Sequence, residues 1–181
     1  MTTFVALLRA VNVGGRKVAM ADLRKLVEGL GFADVQTYIQ SGNLVLTGKG
    51  TAAAVEAKLE KAIAAEFGIA VPVIARTAEQ WKAYLSVPKP FVAAAQATPN
   101  WVVLGLSKQP PAKGAAASLV ARAQAGERVD IVGDAVWFHY PQGIGESKLT
   151  PASIDKAVGS PLTARNLNTV RKLAQMAGTS A

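Results

Sequence analysis

Two rhythms of hydrophobic and polar residues alternate along this chain, and each change of rhythm marks an element. Residues 3–9 place apolar groups on both alternating faces, Phe4, Ala6 and Leu8 against Val5 and Leu7, which predicts a central strand. A glycine-containing loop over 10–18 follows. Met20, Leu23, Val27 and Leu30 then recur at helical spacing, with Gly31 as the stop. Residues 34–40 and 43–48 read as two strands joined by Ser41 and Gly42 as a tight turn. Val55, Leu59, Ile63 and Phe67 mark one face of a second helix ending at Gly68, and 70–75 reads as a further strand. The order is β-α-β-β-α-β, the ferredoxin-like pattern.

Thr77 with Gln80 three residues on forms a capping box, opening a helix with Trp81, Tyr84 and Leu85 inward. Residues 87–99 hold three prolines and no clear period, and read as a connector. The second half offers a strand at 101–106, a helix near 113–125, and a hairpin of 128–132 with 135–140 turning at Gly133 and Asp134. Thr150 and Pro151 open a helix as N-cap and first helical residue. Thr163 is expected to cap a last helix running to about Ala177, with Asn166 on its inward side. This half reads as β-α-β-β closed by two helices. The fold class expected is α+β, two βαββαβ-type halves packed together, residues 1–86 and 87–181.

Topology gives the pattern a functional edge. A helix crosses between the first two strands, so they run the same way, and the loop after strand one shares an end of the sheet with the turn after strand two. Arg9, Asn12, Gly14 and Gly15 are therefore expected to face Gln40, Ser41 and Asn43. Two further polar segments occur later, Gly143 to Leu149 with Ser147 and Lys148, and Thr163 to Thr169 with Arg165 and Asn166. The four segments carry the cations Arg9, Arg16, Lys17, Lys148 and Arg165 against one carboxylate, Glu146, with amides and hydroxyls making up the rest. Such a set suits a negative ligand. Paired glycines let backbone amides approach it.

Composition narrows the field. The 181 residues are 50% hydrophobic and carry a net charge of +8, spread evenly over both halves. That field draws anions, nucleotides and nucleic acid alike. The chain has no cysteine, which excludes disulfides, thiolate-bound metal and a thiol nucleophile. No signal-peptide pattern and no long apolar run occur, so a cytoplasmic location without membrane contact is expected. Catalytic signatures fail too. The lone His139 sits on a predicted strand and reads as a half-buried structural side chain. Gly145 to Leu149 lacks the second glycine of a nucleophile elbow. Ser147 stands where a phosphate loop needs glycine, and the last glycine of a dinucleotide fingerprint is missing. No metal and no cofactor are expected.

The four segments, in this order, closely resemble the family known as domain of unknown function 1697, over nearly the whole chain. The resemblance implies a bacterial α+β protein with two ferredoxin-like halves, and implies no activity. Two positions depart from the pattern of the resemblance. Ala10 stands where that family usually has glycine, and Leu167 where it usually has tryptophan. That indole either stacks on a ligand or fills a core. The residues favour a protein that binds an anionic or phosphate-bearing metabolite between the halves. The alternatives are a nucleic-acid-associated module, and a structural or protein-interaction domain whose motifs are only turns and caps.

Overall fold

The computed structural model describes residues 1–15 and 17–179, so Arg16, one of the motif cations, lies outside the described residues. Two compact units make up the chain: Met1–Ala83 together with the chain from Lys172 on, and Tyr84–Arg171. The fold is α+β in both.

The first unit contains β1 (Thr2–Leu8), α1 (Met20–Gly29), β2 (Ala33–Tyr38), β3 (Asn43–Gly48), α2 (Ala52–Phe67), β4 (Val73–Thr77) and α3 (Ala78–Ala83). Its sheet runs β2-β3-β1-β4, with every neighbouring pair antiparallel. β1 and β2 are both antiparallel to β3, so they point the same way. Phe4, Ala6 and Leu8 pack with Leu23 and Val27 of α1 and Val55, Leu59 and Ile63 of α2. Each of these fully buried side chains larger than alanine contributes about 1.5–3 kcal/mol. Val5 and Leu7 on the opposite face are buried as well, as the two-faced apolar run of β1 predicts.

α2 also closes the sheet edge. The backbone amide of Val73 donates to Glu60 Oε1 and that of Ala75 to Glu56 Oε1, both at 2.8 Å. Four residues along a helix advance about 6 Å, and two along a strand about 6.7 Å. Glutamates at i and i+4 thus match alternate amides of an edge strand, which would otherwise template pairing with another chain. The capping box is present: Gln80 N–H donates to Thr77 Oγ1, and Gln80 Oε1 accepts from Thr77 N–H.

The second unit begins with the connector, which holds the short α4 (Val92–Ala97). There follow β5 (Val102–Ser107), α5 (Ala115–Val120), β6 (Arg128–Val132), β7 (Ala135–His139), α6 (Pro151–Val158) and β8 (Leu162–Asn166). The sheet order β6-β7-β5-β8 repeats that of the first unit. The device at the edge recurs too, since Leu162 N–H on β8 donates to Asp155 Oδ1 on α6 at 2.9 Å. α7 (Leu167–Met176) then leads out of this unit. No helix among the described residues is long and apolar enough to cross a membrane.

Several expectations are corrected. Thr163 does not cap the last helix. It lies inside β8, which pairs with β5 from Ser107↔Leu162 to Val103↔Asn166. Leu162 is clamped there over Gly105, where an added Cβ would sit 2.7 Å from its side chain. Both Thr163 and Asn166 are cap-forming residue types, and strand pairing decides between them. The second correction concerns the β2–β3 connection, which spans Ile39 to Gly42 rather than two residues. Third, α5 covers only Ala115–Val120 of the expected 113–125, and β4 lies at 73–77 rather than 70–75.

Candidate functional site

At the end of the first sheet where β1 and β2 finish, the 9–19 loop meets the Ile39–Gly42 turn. Asn12 holds the two together. Its Nδ2 donates to Gln40 O at 2.7 Å and Val18 O at 3.0 Å, while its Oδ1 accepts from Val18 N–H at 2.8 Å. Leu8 N–H donates to Gly42 O at 2.8 Å beneath this clip, and Arg9 N–H to Pro72 O at 2.9 Å. Asn43 is fully buried and donates through Nδ2 to Tyr38 O and Ser41 Oγ, both at 2.9 Å. The convergence expected of Arg9, Asn12, Gly14 and Gly15 with Gln40, Ser41 and Asn43 is therefore that of one loop pair. Asn12 and Asn43 spend these bonds on shaping it. Gly14, Gly15, Lys17 and Gln40 are exposed, and Arg9 and Ser41 are half-buried.

The backbone of this pair is unusual. Among the described residues, four that are not glycine have positive φ, and three of them are here: Ala10 at 54°, Asn12 at 57° and Ile39 at 49°. Asparagine tolerates this region, alanine and isoleucine poorly. The equivalent loops of the second unit, 108–114 and Gly133–Asp134, hold positive φ only at glycine. The backbone at Ala10 is left-handed, a conformation that glycine adopts without strain. Ala10→Gly is expected to raise stability by about 0.5–1 kcal/mol, read as a higher urea midpoint with unchanged slope.

α1 starts directly from the loop, and its N-cap is Ala19, whose methyl side chain accepts no hydrogen bond. Its first-turn amides therefore face the same end of the sheet without a side-chain cap.

The later motifs belong to the second unit and are heavily used within it. Ser147 donates through Oγ to Glu127 Oε1 in a short hydrogen bond, and Ser147 Oγ accepts from Leu149 N–H at 3.1 Å. Burial alone would raise the Glu127 carboxyl. The Ser147 hydroxyl and the backbone amides of residues 127, 125 and 124 outweigh it, and hold the group below the ordinary carboxylate range. Because the folded value is depressed, this stabilisation is present above the unfolded pKa and lost as pH falls through the folded one. Glu127→Gln should cost about 1–3 kcal/mol at neutral pH, with the gap from wild type closing on acidification in a series of urea melts. Nothing in the sequence marks Glu127, since only the folded chain brings it to Ser147.

Lys148 is exposed. Arg165 on β8 is half-buried, donates to Thr163 Oγ1 and Ala164 O, and is pushed down to about 10 by burial. Asn166 does not lie on the inner face of the last helix as expected. It precedes α7 and caps it, with Oδ1 accepting from Thr169 N–H at 2.9 Å. Asn168 donates to Asn100 Oδ1 at 2.7 Å, fastening α7 to the connector. Leu167 is fully buried. The segment from Thr163 to Thr169 is thus a strand-to-helix junction, and its Leu167 is a core residue. His139 is half-buried, and its Nδ1 meets no partner among the described residues. Burial and then the charge of Arg128 lower its pKa, which favours a neutral ring.

Comparisons with other proteins agree with the fold. A family model described as "Protein of unknown function (DUF1697)" matches residues 1–137. A solved structure, that of conserved bacterial protein SP0830 from Streptococcus pneumoniae, is similar with a TM-score of 0.69. It shares 23% identity over 97% of this chain and 98% of that one. Likeness at that identity is likeness of fold. No curated protein matches the chain.

Proposed function

The chain belongs to the DUF1697 family, and from that premise we propose that its first unit binds a small anionic or phosphate-bearing ligand at the loop pair of residues 9–19 and 39–42. The observation that carries this reading is the Asn12 clip, which fixes a loop bearing Arg9, Lys17 and two exposed glycines against the β2–β3 turn. Neither segment contains a carboxylate. A Cβ added at Gly14 or Gly15 would meet no described atom within 4 Å, so both positions are open on that side. Backbone donors, cations and a helix start without a side-chain cap are the groups that anions seek. A clip that orders the loops beforehand lowers the entropic cost of binding.

Isothermal titration with inorganic phosphate and ribose 5-phosphate tests this. Arg9→Met and Lys17→Met should each weaken binding about tenfold, whereas Lys148→Met should leave it unchanged. A ligand at about 100 times its Kd should add roughly 2.7 kcal/mol of stability in a parallel melt. Binding that survives both loop substitutions would place the ligand elsewhere. Salt-sensitive oligonucleotide binding with no response to either small anion would instead favour a nucleic-acid-associated module.

A further inference from the structure

The same loop pair carries a feature that an inorganic anion does not explain. Val13 is 65% exposed and Ile39 is 51% exposed, and each lies one residue from the hydrogen bond joining Asn12 to Gln40. Neither belongs to the core of the unit. Ile39 moreover holds φ at 49°, a conformation that glycine or asparagine adopts at little cost and a β-branched residue resists. Glycine or asparagine would serve the turn at less cost, and the isoleucine side chain adds no core packing to offset it, being half exposed. Strain retained at an exposed turn is a mark of use by something outside the chain.

We infer that the ligand carries a flat apolar body beside its anionic group, and that its class is a nucleoside 5′-phosphate. This rests on the anion-binding reading above. The phosphate takes the exposed glycine amides and the Arg9 and Lys17 cations, while Val13 and Ile39 cover one face of the base. Two stiff side chains on pinned loops offer a surface rather than an enclosure. A rigid planar base removes a whole face from water by lying on such a surface, whereas a flexible alkyl chain must lose rotational freedom to cover the same area. A bare sugar phosphate leaves both aliphatic side chains wet. Gln40, exposed and next to Ile39 in sequence, can pair with the edge of a base.

Titration of the full chain with AMP, ribose 5-phosphate and octyl phosphate tests the inference. AMP is expected to bind about tenfold more tightly than ribose 5-phosphate, and also more tightly than octyl phosphate. Ile39→Asn keeps a residue that tolerates the left-handed turn and removes the apolar contact. It should bring AMP down to the ribose 5-phosphate level while leaving ribose 5-phosphate itself unchanged, and Val13→Ser should do the same in part. Equal affinity for AMP and ribose 5-phosphate in the wild type, or tighter octyl phosphate, overturns this inference and spares the anion site. Failure of every phosphate to bind overturns both.

Discussion

Gly42→Ala should destabilise the protein by about 2–4 kcal/mol. Two costs add there. The backbone sits at φ +74°, where any side chain is strained, and an added Cβ would lie 2.7 Å from Leu8 Cβ and 3.3 Å from Val11 Cγ1. Neither neighbour can retreat easily, since Leu8 is fully buried and Val11 nearly so. The carbonyl of Gly42 also accepts the Leu8 amide, so a shift of the turn would break the bond beneath the Asn12 clip. Gly14→Ala is the matched control. It meets the conformational cost alone, because nothing lies within 4 Å of its Cβ, and it should lose about 1 kcal/mol. Urea unfolding of both variants gives the comparison. Equal losses would mean that the turn is not packed against the β1 loop as described.

Leu167→Ala carries the second large effect, a loss of about 2–5 kcal/mol. Leu167 opens α7 directly after the Asn166 cap and is fully buried. Its removal leaves a cavity where a fully buried side chain stood. Were this position one that faces a ligand, the substitution would cost well under 1 kcal/mol and show itself in binding. Thermal unfolding with and without inorganic phosphate separates the two, because a core role predicts the same loss in both conditions.

Much of this architecture is legible in the pattern of apolar residues. The two-faced run from Phe4 to Leu8, the helical stripes of α1 and α2, and the Thr77–Gln80 and Thr150–Pro151 starts all stand where periodicity and capping chemistry place them. Topology alone brought the 9–19 loop to the β2–β3 turn. What pattern could not reveal was tertiary. β8 escaped because Leu162 to Asn166 is too short to show a period and begins next to a plausible cap; pairing with β5 turned it into a strand. The left-handed backbones at Ala10 and Ile39 escaped because neither residue type announces them. The motifs themselves changed meaning in part. Asn12 and Asn43 shape the candidate site, Asn166 and Asn168 fasten α7, and Ser147 secures its loop through Glu127. An amide-rich sequence motif has the same appearance whether its side chains meet a ligand or the chain's own backbone.

The loop pair is the centre of this account, and amide chemical shifts in a titration with AMP and with inorganic phosphate test it most directly. Both ligands should move the amides of Gly14, Gly15 and Lys17 in a saturable manner, with AMP also moving Val13, Ile39 and Gln40. The amides of Gly50 and Gly68, at the two ends of α2, should stay still. Saturable shifts centred outside residues 9–19 and 39–42, or none at millimolar ligand, would contradict the account.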